Sequence, residues 1–301
     1  MLTIEKVIVE AEKTVSIITI NYNGLKDTCE LMETLPLDDK SIEVIVVDNA
    51  STQDEASVIE QRYPQVKVIR SHTNLGYAGG NNLGIRAAHG RYLFFINNDT
   101  LLKTSFQPLI LRLESSEAIG VVCPKIRYAW SPQPIQYAGY TPLSRITMRN
   151  KAIGCGEIDK RQYDTARPTP YAHGAAMMVK REAINKVGLM PECYFLYYEE
   201  LDWSMMFHHA GYDIWYDPAT TILHKESQST GQGSPLRTFY ITRNRLLFVK
   251  RNIRGIEKYL SYAYLVGIVA PKDILKHLYH HRIDLASATF KGLRAFTRLT
   301  I

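Results

Sequence analysis

A carboxylate and two amides end an apolar stretch of this sequence. Asn97, Asn98 and Asp99 directly follow the run YLFFI at 92–96, which has the composition of a strand buried on both faces. Polar side chains at the carboxyl end of a buried strand can line a ligand site, but the same side chains also form turns by accepting hydrogen bonds from nearby backbone amides. A ligand site and an ordinary turn are therefore the two interpretations of this strand end.

A second group of acids follows two aromatic residues. Glu199, Glu200 and Asp202 come after two tyrosines in YYEELDW, and apolar residues at helical spacing come next. The pattern predicts a helix whose first turn carries all three carboxylates. They form a second candidate chemical centre, but the helix dipole also stabilises acids in a first turn, so helix capping is the alternative.

The surrounding sequence predicts the elements that position these groups. Short β-branched or apolar runs at 14–20, 42–48, 66–70 and 91–97 alternate with helix-compatible stretches at 25–35, 53–62 and 79–89. This order predicts an α/β fold with a mostly parallel central sheet and helices on both faces. Ligands bind at the carboxyl ends of the strands in such sheets. Three strand ends carry polar groups, which we expect to converge: Asn21 and Asn23, Asp48, and Asn97 to Asp99.

The composition limits the class of protein. With 301 residues, 46% of them hydrophobic, the chain can bury a full core. Its four cysteines are far apart and form no CxxC pair, which argues against a zinc cluster or a disulfide framework and favours a reducing compartment. The amino-terminal 13 residues lack the apolar segment of a signal peptide, and the longest apolar run, 259–270, is shorter than the roughly 20 residues of a spanning helix. We therefore expect a cytoplasmic protein.

Positive charge is concentrated towards the carboxyl end of the chain. Residues 237–301 contain 13 Lys and Arg against 3 Asp and Glu, whereas residues 1–236 contain 23 against 27, which argues against a nucleic-acid-binding protein. Apolar and basic residues are interspersed in 251–301. The pattern predicts a basic amphipathic helix pair, suited to the inner face of an anionic cell membrane. A helical subdomain packed on the rest of the chain, or a homodimer interface, is the alternative.

Eight segments, in their order and spacing, carry a resemblance to a known family. They are NYNG (21–24), VVDNAS (46–51), NLGYAGGNNLGI (74–85), FFINNDT (94–100), HGAAMMVKREA (173–183), FLYYEELDWSMMFHHAGYDIWYDP (195–218), His224 and RNRLLF (243–248). Together they resemble the inverting glycosyltransferases of family 2, and in particular the rhamnosyltransferase-like branch of bacterial polysaccharide biosynthesis. The resemblance implies a GT-A fold, a Rossmann-like sheet that holds a nucleoside diphosphate sugar. It also implies a catalytic domain at 1–250, with a nucleotide-sugar half at 14–122 and an acceptor half at 123–250, followed by the helical tail at 251–301.

The resemblance places a donor sugar, linked to dTDP or UDP, at the carboxyl ends of the strands. Asp48 matches the family's contact to the base and ribose. The polar, Gly-rich composition of 225–236 predicts a loop that closes over the donor, with Arg243 and Arg245 reaching the phosphates, and an ordinary linker is the alternative. Three glycines at 76–80 would let the backbone approach the ligand, or else serve only a loop and a helix start. The implied substrate-binding residues are Asn21, Asn23, Asp48, Asn74, Gly76, Gly79, Gly80, Asn98, Gly174, Asp202, Arg243 and Arg245.

The resemblance also implies a divalent cation, Mg²⁺ or Mn²⁺, on the donor diphosphate. Asp99 matches the last acid of the family's DxD motif, although Asn97 stands where the first acid is usual. One protein carboxylate can suffice when the diphosphate supplies the remaining oxygens. His224 lies where the family often supplies a second metal ligand, and an ordinary surface or core histidine is the alternative.

Glu200 matches the second acid of the family's ED pattern, the general base, although Asp is the usual residue there. It would take the proton of an acceptor hydroxyl, on a saccharide or a lipid-linked acceptor, as the hydroxyl attacks the anomeric carbon opposite the diphosphate. The configuration then inverts in one displacement. Glu199 and Asp202 would orient the site or hold the helix.

Two other functions compete with glycosyl transfer. A sugar nucleotidyltransferase shares a Rossmann-like sheet and a metal site, but it normally has a Gly-rich phosphate loop after the first strand, where NYNGLKD has one glycine. The chain also lacks the GxxxxGK[ST] and GxGxxG loops of nucleotide-binding folds. A catalytically inactive nucleotide-sugar-binding subunit would fit the missing first acid of the metal motif and the Glu at the base position.

Overall fold

A single mixed sheet organises the chain. The computed structural model describes residues 14–226 and 233–299. The strands are β1 (Val15–Asn21), β2 (Ile42–Asp48), β3 (Lys67–Arg70), β4 (Tyr92–Ile96), β5 (Thr100–Leu102), β6 (Ile119–Tyr128), β7 (Ile135–Tyr137), β8 (Arg167–Pro168), β9 (Ala176–Lys180) and β10 (Asp213–His224). The helices are α1 (Leu25–Met32), α2 (Glu55–Arg62), α3 (Gly76–Ala87), α4 (Gln107–Glu114), α5 (Arg181–Val187), α6 (Glu199–His209), α7 (Pro235–Asn252), α8 (Gly255–Tyr264), α9 (Ala270–Tyr279) and α10 (Ile283–Thr297), and a π-helical segment, Leu265–Val269, joins α8 to α9.

Most strands of the sheet run in the same direction. Within the described residues the order is β3-β2-β1-β4-β9-β6-β10-β5, with β7 beside β6 and β8 beside β10. β3, β2, β1 and β4 are parallel neighbours. β9 is antiparallel to both β4 and β6, and β6 is parallel to β10, so six of the ten strands point the same way. The predicted α/β fold with a mostly parallel sheet is confirmed, and the edge where these six strands end is called the carboxyl edge below.

The central strands are apolar because both of their faces are covered. All five residues of β4 are buried, and Ile17 and Ile18 of β1 are fully buried. Phe95 of β4 meets Trp203 of α6 edge-on, with ring centroids 5.6 Å apart. This contact ties α6, and the acids in its first turn, to the middle of the sheet.

Glycines let α3 lie close to β1. A Cβ atom at Gly80 would come within 2.9 Å of Ile20 Cδ1, and one at Gly79 would come within 2.6 Å of Leu75 Cβ. Both glycines are buried. Packing against β1 therefore requires a small residue at Gly80, and the close approach of Gly79 to Leu75 lies within the start of α3 itself. The predicted approach of both glycines to a ligand stays a prediction.

A second hydrophobic cluster joins the tail to α6 and α7. Tyr198, the 246–249 segment of α7, and Leu265 and Val269 of the π-helical segment are buried together. α10 packs against α7 along its length. The inward face of the tail is thus a packed helical subdomain, as the alternative interpretation of this segment expected. Among the described helices, we find none with the length and apolar character needed to cross a membrane.

Two sequence-based expectations concern residues outside the described ranges. Residues 1–13, which we predict not to form a signal peptide, lie outside the described ranges. The middle of the predicted closing loop, 227–232, lies outside them as well. Both stay predictions.

Candidate active site

A hydrogen-bonded network joins the ends of β1 and β2 at the carboxyl edge. Asn21 Nδ2 donates to Asp48 Oδ1 over 2.9 Å and to Glu55 Oε2 over 2.8 Å. Ser51 Oγ also donates to Asp48 Oδ1, over 2.6 Å. Because Asn21 is fully buried, it positions Asp48 and the adjacent Glu55 from below. Its predicted place beside the nucleotide stays a prediction.

Two other predicted donor-site residues shape the loops above this network. Asn23 is exposed, and its Oδ1 accepts a hydrogen bond from the backbone amide of Thr52 over 2.8 Å. Asn74 Oδ1 accepts from Asn49 Nδ2 over 3.1 Å and from the amide of Gly76 over 2.9 Å. These contacts hold the loops after β1 and β3 in defined positions, so that the loops border the edge that carries Asp48.

Asn98 connects this network to the end of β4. Asn98 Nδ2 donates to Thr28 Oγ1 over 3.1 Å, and Thr28 Oγ1 donates in turn to Asn21 Oδ1 over 2.7 Å. The side chain of Asn98 thereby links Asp48 to the strand end that carries Asp99. The predicted convergence of the polar strand ends is present, and a chain of buried or half-buried hydrogen bonds produces it.

Asp99 and His224, the two predicted metal ligands, face each other. Asp99 Oδ1 and His224 Nε2 are 3.2 Å apart, and both residues are buried. On the far side of the imidazole, Nδ1 lies 2.8 Å from Gln136 Oε1. The backbone amide of Lys225 donates to the carbonyl oxygen of Asp99, and the Lys225 ammonium pairs with Asp27 of α1 over 2.7 Å. These contacts fix the end of β10 against the end of β4.

The chemistry of this pair fits a divalent cation. When Nδ1–H donates to Gln136, Nε2 presents a lone pair to a carboxylate oxygen, and a cation between the two relieves the repulsion. Adjacent ligands about 2.1 Å from one octahedral ion lie about 3 Å apart, close to the 3.2 Å observed here. The described residues contain no cluster of three or more His, Cys, Asp or Glu, so the remaining ligands of such an ion would come from substrate and water.

His173 and Gly174 join this pair to the acids of α6. Burial and the neighbouring His224 lower the pKa of His173 to about 3, and its ring stacks on Tyr140 with an interplanar angle of 7°. A Cβ atom at Gly174 would lie 3.8 Å from Glu200 Cγ. The segment that precedes β9 therefore spans the distance from the candidate metal ligands to the candidate base.

The two glutamates at the start of α6 have unusual environments. Burial raises the pKa of Glu200, and burial together with the charge of Glu200 raises the pKa of Glu199 well above its ordinary range. The Tyr77 hydroxyl donates to the carbonyl of Gly174 beside Glu200. Burial and these two carboxylates raise the pKa of Tyr77. A carboxylate with a raised pKa is a stronger base, which suits Glu200 to proton removal.

A strained turn sets the start of α6. Tyr197 and Tyr198 have φ values of 68° and 80°, in the left-handed region that side chains disfavour. Just before them, the carbonyl of Phe195 accepts the amide of Tyr77 over 3.0 Å. Gly76 has a φ of 71°, and a Cβ atom there would overlap the carbonyl oxygen of Phe195. Gly76 is thus needed for the contact between α3 and this turn.

Asn244 of α7 holds the same turn from the other side. Its Nδ2 donates to the carbonyls of Leu196 and Tyr197 over 2.7 and 2.8 Å, and its Oδ1 accepts from Arg243 Nε over 2.7 Å. Asn244 is completely buried. The strain of the two left-handed tyrosines is therefore balanced by a buried residue that satisfies two turn carbonyls at once.

The remaining predicted site residues bind mainly to the protein. Both oxygens of Asp202 are engaged by α7, through an ion pair with Arg251 and a 2.9 Å bond from Asn252 Nδ2. These contacts suit the helix-holding role that was one expectation for Asp202, and its contact with substrate stays a prediction. Arg243 lies over the ring of Tyr240, and Arg245 Nε donates to the Tyr198 hydroxyl over 3.0 Å. Their contact with phosphates stays a prediction.

Comparisons with known proteins identify the family of the chain. The family model described as glycosyl transferase family 2 matches residues 16–188, more than half of the chain. The chain belongs to glycosyltransferase family 2. It is 23% identical over 292 residues to a low-salt glycan biosynthesis hexosyltransferase, Agl10, of Haloferax volcanii, covering 95% of this chain and 92% of the relative.

Two further proteins are similar to this chain, one in sequence and one in fold. The N-acetylglucosaminyl-diphospho-decaprenol L-rhamnosyltransferase of Mycobacterium tuberculosis is 26% identical over 215 residues, which are 64% of this chain and 70% of the relative. The mannosyltransferase PcManGT of Pyrobaculum calidifontis, solved with GDP-Man and Mn²⁺, has a TM-score of 0.56 at 15% identity, covering 95% of this chain and 76% of that one. The second likeness shows that the fold is that of GT-A glycosyltransferases.

The sequence alone did not reveal several residues of this family 2 site. Glu55 resembles an ordinary first-turn acid of a helix, and Gln136 lies in a segment without regular periodicity. Asn244 has one signal, because it lies four residues before Phe248 on the buried stripe of α7. A polar residue on an apolar stripe indicates a specific buried hydrogen bond.

We expect Asn244→Ala to lower kcat of this family 2 glycosyltransferase about tenfold while the donor KM changes little, because the turn before Glu200 relaxes. The loss of the buried bonds should also lower the free energy of unfolding by about 1–3 kcal/mol. Steady-state kinetics and chemical denaturation measure both. Asn252→Ala on the same helix is the control, and it should cost stability alone. An unchanged kcat in Asn244→Ala would make Asn244 a purely structural residue.

Proposed function

We propose that this family 2 enzyme transfers a sugar, rhamnose being the first candidate, from a dTDP- or UDP-linked donor to a hydroxyl group. The acceptor is a saccharide or a lipid-linked saccharide of cell-surface polysaccharide synthesis. The observation that carries the proposal is that the candidate metal ligands and the candidate base lie near each other at the carboxyl edge. The Asp99–His224 pair and Glu200 are joined there through the adjacent residues His173 and Gly174.

The donor half of the proposal rests on the network around Asp48. Asn21 and Ser51 hold its Oδ1 at 2.9 and 2.6 Å, so that the carboxylate is oriented before a ligand binds. An oriented carboxylate at a strand end is suited to accept hydrogen bonds from a ribose or a base. Asp99 and His224 would hold Mg²⁺ or Mn²⁺, which when bound neutralises charge on a diphosphate leaving group.

Glu200 carries the proton transfer of the proposed reaction. Its carboxylate accepts the proton of the acceptor hydroxyl while the hydroxyl oxygen forms a bond to the anomeric carbon and the bond to the diphosphate breaks. One displacement of this kind inverts the configuration. Glu199 is more buried, and burial together with the charge of Glu200 raises the pKa of Glu199 well above its ordinary range, so we assign the base role to Glu200 rather than to Glu199.

The acceptor side is bordered by aromatic rings. Tyr140 stacks on His173, and the pKa of Tyr140 is raised by burial and by the charge of Glu200. Stacked rings beside a general base suit the apolar face of a sugar. The Mycobacterium relative is named for a lipid-linked diphosphate acceptor, which supports a lipid-linked acceptor here. We propose that the enzyme works in the cytoplasm, at the inner face of the membrane.

A panel of UDP-, dTDP- and GDP-linked sugars tests the proposal. The full-length enzyme is incubated with each sugar and Mn²⁺, with and without lipid-linked and free saccharide acceptors, and released nucleotide and glycosylated product are measured. Transfer that depends on acceptor, with inverted anomeric configuration by NMR, is the expected result. Nucleotide binding without any turnover would favour the inactive binding subunit, for which the missing first acid at Asn97 is the argument. Formation of a nucleoside diphosphate sugar and pyrophosphate from a sugar 1-phosphate and a nucleoside triphosphate would favour the nucleotidyltransferase.

A further inference from the structure

One face of the continuous helix from 255 to 279 is exposed and carries no charge. Ile256, Leu260, Ala263, Gly267, Pro271, Leu275 and Leu278 follow one another at spacings of three or four residues, and all of them are exposed. Tyr259, Val266 and Tyr279 are exposed beside them. The exposed fractions reach 71% at Ile256 and 67% at Leu275. A continuous apolar face of this length on a protein surface marks a binding surface. It is called the tail face below.

Packing on the opposite side fixes the direction of the tail face. Leu265 and Val269 are buried in the cluster shared with α7. Ser261 Oγ donates to the carbonyl of Arg145 over 2.6 Å. The helix therefore cannot turn its apolar side inwards without breaking these contacts, and the tail face stays directed away from the protein.

The charges around the tail face are mostly positive. Residues 251–301 contain nine Lys and Arg against three Asp and Glu. Two of the three acids are paired with arginines, Glu257 with Arg145 at 2.9 Å and Asp284 with Arg282 at 2.8 Å. Lys272 and Lys276 are exposed and lie one helical turn apart beside the apolar residues. A partner of negative charge complements this surface.

We propose that the tail face docks on the surface of an anionic lipid bilayer, with the helix lying parallel to the membrane. The helix of 25 residues is about 37 Å long, and only one side is apolar, which is the arrangement of an interfacial helix. Exposed tyrosines at both ends, Tyr259 and Tyr279, suit the headgroup region. A second copy of the chain would bring the same positive charge and is disfavoured as the occupant.

This docking deepens the proposed function, because it brings the site to the surface that carries a lipid-linked acceptor. Only the link to the lipid-linked acceptor rests on the proposed function, because lipid binding itself is measured without any sugar. The full-length enzyme is floated with vesicles of phosphatidylcholine alone or mixed with phosphatidylglycerol, at low and high salt. Binding to the anionic vesicles, weakened by salt, is the expected result.

Matched variants locate the surface. The double variant Leu260→Asp/Leu275→Asp should lower the vesicle partition coefficient about tenfold or more, because two apolar contacts with lipid are lost. Leu111→Asp is the control, since Leu111 of α4 is 59% exposed elsewhere and should leave binding unchanged. Lys272→Glu/Lys276→Glu should weaken binding to anionic vesicles, whereas Lys103→Glu should not. Circular dichroism confirms that each variant is folded.

The outcomes separate docking from catalysis. Wild type that ignores anionic vesicles at low salt overturns the proposal, even where transfer to a soluble acceptor proceeds. An equal loss of binding in the tail-face and control variants overturns it as well. A concentration-dependent dimer that the leucine variant dissociates, with no vesicle binding, would assign the tail face to a second copy instead. Vesicle binding without any transfer supports the docking and contradicts the proposed function.

Discussion

Glu200→Gln is expected to lower the rate of glycosyl transfer by a factor on the order of 100 to 10,000. Glutamine keeps the size of the side chain and part of its hydrogen bonding but cannot accept a proton. Donor affinity should change little, because Glu200 lies beside Gly174 and Tyr77, away from Asp48 and its network. Initial rates at saturating donor, together with calorimetric titration of the nucleotide, separate these two effects.

The neighbouring glutamate provides a matched control for this substitution. The raised pKa of Glu199 favours its protonated form, which glutamine resembles, so Glu199→Gln should transfer sugar within a few fold of wild type. Glu200→Asp, which restores the residue usual in family 2, should retain measurable transfer. If Glu200→Gln remains active while Glu199→Gln or Asp202→Asn loses activity, the base belongs to another carboxylate of the same segment.

The pH dependence of wild type gives an independent test of the base. Burial raises the pKa of Glu200 above the ordinary value for glutamate, so the protonated, inactive form persists to higher pH. Activity should therefore fall as pH decreases through that raised pKa, and the acidic limb of the kcat/KM profile should lie above pH 4.5. A limb at or below the ordinary value would contradict a buried carboxylate as the base.

The sequence allowed the sheet and its edge to be predicted because both depend on local patterns. Buried strands such as β4 appear as uninterrupted apolar runs, and parallel order follows from the alternation with helices. The pairing of Asp99 with His224 depends on residues 125 positions apart, and only the resemblance to family 2 joined them. The structure brings them within 3.2 Å because β5 and β10 are neighbours.

The roles of buried polar residues could not be predicted in the same way. Asn21 and Asp202 have protein partners on α2, β2 and α7, which the local pattern does not reveal. The close approach of Gly80 to Ile20 was likewise not evident from the sequence. A polar side chain at a strand end or in a first turn has the same local signature whether it binds a ligand or the protein itself.

The second large effect is expected at the candidate metal site. Asp99→Asn keeps the shape of the side chain but removes the negative charge that faces His224 Nε2. We expect the dependence of UDP or dTDP affinity on Mg²⁺ or Mn²⁺ to weaken and transfer to fall on the order of 100-fold, since a carboxylate ligand is lost. Calorimetric titrations with and without each cation measure the first effect, and initial rates measure the second.

Asp217→Asn controls for the loss of a buried carboxylate as such. Asp217 is also on β10 and buried, but its partner is Arg112 at 3.0 Å rather than a histidine. This control should lose stability and keep the cation dependence of nucleotide binding.

His224→Gln should behave like Asp99→Asn, because both substitutions remove one of two ligands from the same ion. Equal nucleotide affinity with and without cation in wild type would show that Asp99 and His224 form a structural ion pair, and the charge on the departing diphosphate would then have to be balanced by Arg243 or Arg245.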